Sequence, residues 1–128
     1  MTAFSDRIAE LSEHAKRDRE EFEPPSNPPD EEAALEYLID GVGEVVGLYI
    51  EARTGEVVRL DSAEFALLER ALNDWLELYA ACYGVDIEAD FTVREVAELL
   101  VDTHSLRETA TLLTRVPERD SGQQWMYS

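Results

Sequence analysis

Residues 60–84, LDSAEFALLERALNDWLELYAACYG, predict the longest helix of the chain. Asp61 is placed to cap the start of this helix, and Glu64 stands three residues later to complete a capping box. Gly84 follows the apolar period and supplies a natural C-terminal stop. Start signal, period and stop agree, so both ends of the helix are defined.

Two further helix starts follow downstream. In FTVREV, Thr92 and Glu95 form a second capping box, and in SLRE, Ser105 and Glu108 form a third. Pro117 marks the end of the last helix, because proline cannot continue a helical hydrogen-bond ladder. The second half of the chain is therefore expected to contain three consecutive helices.

The segment upstream of Leu60 admits two interpretations. From Asp30, an apolar period of 3.6 residues continues to about Arg53 and predicts one long helix. Three glycines inside this segment argue against a helix, at about 1 kcal/mol each relative to alanine. The alternative is a shorter helix and a β-hairpin over residues 45–60, with VVGLYIEA and EVVRL around RTG. We favour the helix because its polar and apolar faces both keep the period.

Four prolines within EFEPPSNPPDEE divide the chain, because proline favours an extended, semi-rigid linker. The expected fold is mainly α: a small domain of about four helices with a tethered N-terminal helix. The predicted boundaries are an amphipathic N-terminal helix over 1–23, a linker over 24–30, a helical domain over 31–117 and a flexible tail over 118–128.

The charge of the chain is extreme. Twenty-nine Asp and Glu oppose eleven Lys and Arg, which gives a formal charge of −18, and Lys16 is the only lysine. Such a charge destabilises a compact state by self-repulsion unless salt screens it. In acidity and scarcity of lysine, the composition resembles that of cytosolic proteins from salt-in halophilic archaea. This resemblance implies a salt-rich cytosol.

Few residues in the sequence suit catalysis, metal binding or membrane insertion. No segment approaches the ~20 apolar residues of a membrane span, and no signal peptide is evident. Cys82 has no second cysteine to pair with, and His14 and His104 lie far apart, so no zinc site is expected. We therefore expect a cytoplasmic, non-catalytic protein without cofactor, metal or membrane contact.

Two apolar stripes are candidates for protein contact. Trp75, Tyr79 and Tyr83 recur every four residues and form either an interaction surface or ordinary core, which are compatible if the core closes across a dimer. The N-terminal helix carries a narrow seam that can pack on its own domain or on a partner. The seam residues expected to make contact are Phe4, Ile8 and Leu11. A self-associating protein-interaction or regulatory module is the preferred function.

The alternative is a DNA-binding transcriptional regulator with a degenerate helix-turn-helix over residues 92–115. With Ala97 aligned to the motif's usual alanine, the turn glycine falls on Val101. GEVVRLDSAEFALLERAL also resembles the strand-then-helix opening of response-regulator winged-helix output domains, which implies DNA binding. The surrounding carboxylates weaken this hypothesis, since DNA affinity depends on cations. The DNA-contact candidates are Arg94, Ser105, Arg107 and Thr111.

Overall fold

The computed structural model describes residues 3–54 and 60–116. The described residues form five helices and no strand, so the prediction of a mainly α fold is confirmed. One of the five is a long helix with a π-helical segment in its middle. The bounds are α1 Ala3–Glu21, α2 Glu31–Glu36, the π segment Tyr37–Val42, α3 Gly43–Thr54, α4 Ser62–Cys82, α5 Val93–Thr103 and α6 Leu106–Thr114.

The hairpin alternative is wrong for residues 45–54, which belong to α3; the rest of its predicted turn and second strand, residues 55–59, lies outside the described residues. The helix prevails because it buries Val45, Leu48 and Ala52 together, at the spacing of a helical face. Gly47 lies on the exposed side, where it costs helix propensity but disturbs no packing.

Helix α4 forms the centre of the fold and is buried on almost every side. Asp61 and Glu64 form the expected capping box at its start. Its buried residues are Leu68, Ala71, Leu72, Trp75, Leu76, Leu78, Tyr79, Ala80 and Cys82. The other helices therefore pack around α4.

Helix α1 runs parallel to α4, and the α2–α3 helix runs antiparallel to it. Ser5 Oγ donates to Glu64 near the start of α4 at 2.6 Å, whereas Arg19 pairs with Glu77 near its end. The N–H of Asp30, just before α2, donates to the carbonyl of Cys82 at 2.8 Å. In the single chain, α1 therefore packs on its own α4.

The segment between α4 and α5, residues 85–92, runs back along α4 without forming a helix. We call this segment the strap. Beyond the strap, α5 lies beside α3, and α6 returns across α4. The Tyr79 hydroxyl donates to the carbonyl of Val116 at 2.9 Å, which fixes the end of α6 against α4.

Candidate functional site

The two sets of interface candidates pack in the interior of one chain. Trp75 and Tyr79 are fully buried, and Tyr83 is half-buried. On α1, Ile8 is buried, while Phe4 and Leu11 are half-buried against the same core. Both sets therefore belong to one core, in which Trp75 contacts α1 and Tyr79 contacts the end of α6. Their role toward a partner stays a prediction.

Trp75 joins three elements at this contact. Its Nε1 donates to Asp18 Oδ2 of α1 at 2.8 Å, and the His14 ring meets its indole edge-on at 5.3 Å. His14 Nε2 lies 3.4 Å from the same Asp18 oxygen. On its other side, the indole packs against Gly41 of the π segment, where an added Cβ would lie 2.4 Å from Trp75 Cδ2.

His14 and Asp18 were not predicted from the sequence to lie at this contact. Their spacing of four residues on one helix face was the available signal. That signal is weak, because an acid four residues from a histidine is common in a chain with this many carboxylates.

Ion pairs also join α1 to the helices on which it packs. Helix α1 contains four of the chain's eleven cations, while the remainder is strongly acidic. Arg7 pairs with Glu51 of α3 at 3.1 Å, and Arg19 pairs with Glu77. Burial raises the pKa of Asp74, Glu77 raises it further, and Arg19 lowers it. Two arginines of α1 thus pair with carboxylates of α3 and α4, although α1 itself contains six Asp and Glu beside its four cations.

Two titratable groups at the far end of α4 have raised pKa values. Burial raises the pKa of the Cys82 thiol to about 11 and that of the Tyr83 phenol to about 12. Both groups are therefore protonated at neutral pH, where a thiol is a weak nucleophile. No group of three metal-ligating side chains lies together in residues 3–54 and 60–116.

Three open clefts lie between the helices. One of about 770 Å³ separates α1 from the π segment and α3, with His14, Arg17 and Asp40 on its walls. Another of about 740 Å³ lies between the end of α1 and the strap. The third, of about 570 Å³, lies between α3 and α5. Within the described ranges, no helix is long and apolar enough to span a bilayer.

Helices α5 and α6 meet at a turn three residues later than the helix-turn-helix alignment requires. The left-handed residue is His104, with φ 60°, whereas the alignment put the turn glycine at Val101 within α5. His104 thus adopts a left-handed backbone conformation that glycine adopts more readily than other residues. The two helices form a tight pair with a turn unlike that of the aligned motif.

The four DNA-contact candidates have different environments. Arg94 is exposed and pairs with Glu98 at 3.2 Å. The Ser105 hydroxyl accepts from the Glu108 N–H at 3.1 Å as the N-cap of α6. Thr111 is half-buried. Arg107 is exposed on α6.

The strap is held by a row of polar side chains that the sequence reasoning overlooked. Glu69, Asn73 and Glu77 are spaced by four residues and so share one face of α4. Each of them accepts a hydrogen bond from a backbone N–H in the strap or at the start of α5. The signal in the sequence was the alternation of apolar and polar residues in VDIEADF, which is typical of extended backbone.

Residues 2–118 match the family model of the domain of unknown function DUF8055. The chain belongs to this family. The matched range begins before α1 and ends after α6, so the N-terminal helix and its linker are part of the DUF8055 unit. No curated protein and no solved structure matches the chain.

Proposed function

We propose that this DUF8055 protein is a non-catalytic interaction module of a salt-rich cytosol that self-associates by exchanging α1 between two copies. The observation that supports the proposal is the α1–α4 contact. It joins Trp75 of the aromatic stripe to the helix that carries Phe4, Ile8 and Leu11, and α1 is attached to the rest of the chain through an irregular linker. The same contact can therefore form within one chain or between two.

Exchange of α1 would preserve each contact described above. In a swapped dimer, Asp18 of one copy accepts from Trp75 of the other, and Arg19 pairs with Glu77 across the two chains. Nine residues separate α1 from α2, and a linker of that length spans up to roughly 30 Å when extended. Domain swapping of this kind is a low-cost route to a dimer.

Salt concentration should control the equilibrium between the monomer and the swapped dimer. Each copy has a formal charge of −18, so two copies repel each other strongly in dilute buffer. The Debye length falls from about 10 Å at 0.1 M salt to about 3 Å at 1 M. Screening therefore favours the dimer at the salt concentrations that the composition implies.

The test mixes two variants that each have one added cysteine, Ser5→Cys and Glu64→Cys, at molar KCl and adds a short bismaleimide cross-linker. Ser5 and Glu64 are in direct contact, and the buried native thiol remains protonated and unreactive at neutral pH. We expect a cross-linked heterodimer in the mixture. Glu98→Cys, on the exposed face of α5, replaces Glu64→Cys as the matched control and should give none.

A mixture that stays monomeric in sedimentation and gives no heterodimer would contradict the exchange. A dimer in sedimentation without the Ser5–Glu64 cross-link would contradict the exchange while preserving self-association. Trp75→Ala is less informative, because the indole belongs to the core in both forms.

DNA binding is the second candidate function. The exposed Arg107 on α6 supports it. Arg107→Glu should then abolish a DNA mobility shift, measured at fixed salt, without changing the circular dichroism spectrum. Equal DNA mobility shifts with the original chain and the variant would contradict this function.

A further inference from the structure

The strap has one edge bound to α4 and one edge open. The N–H of Ala89 donates to Glu77 at 2.9 Å, and the N–H of Val93 donates to Glu69 at 3.1 Å. Between them, Phe91 and the Asn73 amide exchange two hydrogen bonds, at 2.8 and 3.0 Å. Asn73 thereby takes the place of a neighbouring strand.

The opposite edge of the strap lacks such partners. In extended backbone, alternate residues direct their N–H and carbonyl groups to the same edge. Residues 89, 91 and 93 face α4, so Asp86, Glu88 and Asp90 direct theirs away from it. The N–H groups of these three residues are hydrogen-bonded to none of the described residues.

The side chains of the strap alternate in the same way between exposed acidic and half-buried apolar residues. Asp86, Glu88 and Asp90 are exposed and acidic. The intervening apolar residues are half-buried and pack against the core: Val85, Ile87, Ala89 and Phe91. A strand added to the open edge would therefore meet carboxylates on one face and half-buried apolar side chains on the other.

We propose that the open edge of the strap binds an extended segment of another protein that alternates basic with apolar residues. Main-chain hydrogen bonds to an exposed strand edge are a common mode of peptide recognition, with specificity from alternate side chains. A second copy of this strap is a poor occupant, since like charges would lie directly opposite. Arginine or lysine on the partner instead complements the three carboxylates.

The test uses the full chain at about 1 M KCl, where long-range attraction is screened. The probe is a fluorescent seven-residue peptide that alternates valine with arginine, and binding is measured by anisotropy. The matched variants are Glu88→Pro, which removes the outward N–H, and Glu88→Gln, which removes only the charge. Neither alters the donors that hold the strap on α4.

We expect Glu88→Pro to weaken binding about tenfold or more, because a pairing donor is lost and the ring obstructs the edge. Glu88→Gln should weaken binding less. A peptide of the same composition with its valines and arginines in two blocks should bind more weakly than the alternating one. Absence of binding, equal binding of the two peptides, or equal affinity of the original chain and Glu88→Pro would each overturn the proposal.

Discussion

At the scale of single residues, the three glycines of the α2–α3 helix have different roles. Gly41 lies against the Trp75 indole, and a methyl group there would overlap the ring. An added Cβ at Gly43 would lie 3.1 Å from Leu106 Cδ1, whereas one at Gly47 would have open space. The glycines thus look alike in the sequence, but only the structure shows which of them packing requires.

The pair Gly41→Ala and Gly47→Ala tests this distinction. Alanine favours a helix over glycine at both positions, so propensity alone predicts a gain of about 1 kcal/mol for each. We expect Gly47→Ala to gain about 0.5–1 kcal/mol, and Gly41→Ala to lose about 1–3 kcal/mol because the core is overpacked. Urea unfolding at fixed KCl measures both changes. Equal stabilisation by the two variants would mean that Trp75 gives way freely.

At the scale of elements, the strap depends on α4 for its structure. An isolated extended segment leaves its backbone groups to water, whereas Asn73 satisfies both the N–H and the carbonyl of Phe91. Removal of such an amide leaves the two backbone groups without their partner. Of the three side chains that hold the strap, Asn73 is therefore the one that satisfies both backbone groups of a single residue.

We expect Asn73→Ala to lower the free energy of unfolding by about 1–3 kcal/mol and to speed hydrogen exchange at the Phe91 amide. Arg94→Ala is the control, because the Arg94–Glu98 pair is exposed and such pairs contribute at most about 1 kcal/mol. Exchange at Phe91 that is unchanged in Asn73→Ala would show that other contacts hold the strap.

The helices could be predicted from the sequence because their signals are local. The boxes at Asp61–Glu64 and Thr92–Glu95 form as expected, and Asp30 caps α2. The environment of the aromatic stripe, by contrast, could not be predicted from its local sequence. Whether Trp75 faces a partner or the core depends on α1, which lies more than fifty residues away in the chain. The strap was missed because its partners are side chains of a helix rather than another strand.

At the scale of the whole molecule, acidic side chains far outnumber basic ones. Among the residues that the structure describes, Arg7–Glu51, Arg19–Glu77 and Arg94–Glu98 pair an arginine with a carboxylate. All three arginines are substantially exposed, where an ion pair adds little stability. Eleven cations cannot neutralise 29 acidic side chains. We therefore expect the repulsion among the carboxylates to weaken as dissolved salt screens it.

The proposed salt-rich setting predicts that helix content rises as KCl increases from about 0.1 M to molar levels, as screening shortens. Circular dichroism measures this change, and sucrose in place of KCl controls for general stabilisation by excluded solutes. The triple variant Asp86→Asn, Glu88→Gln, Asp90→Asn removes three exposed charges without touching the core. It should fold at lower KCl than the original chain, because less repulsion remains to be screened. Full helicity of the original chain in dilute buffer, or an identical salt midpoint in the variant, would show that charge repulsion does not limit folding.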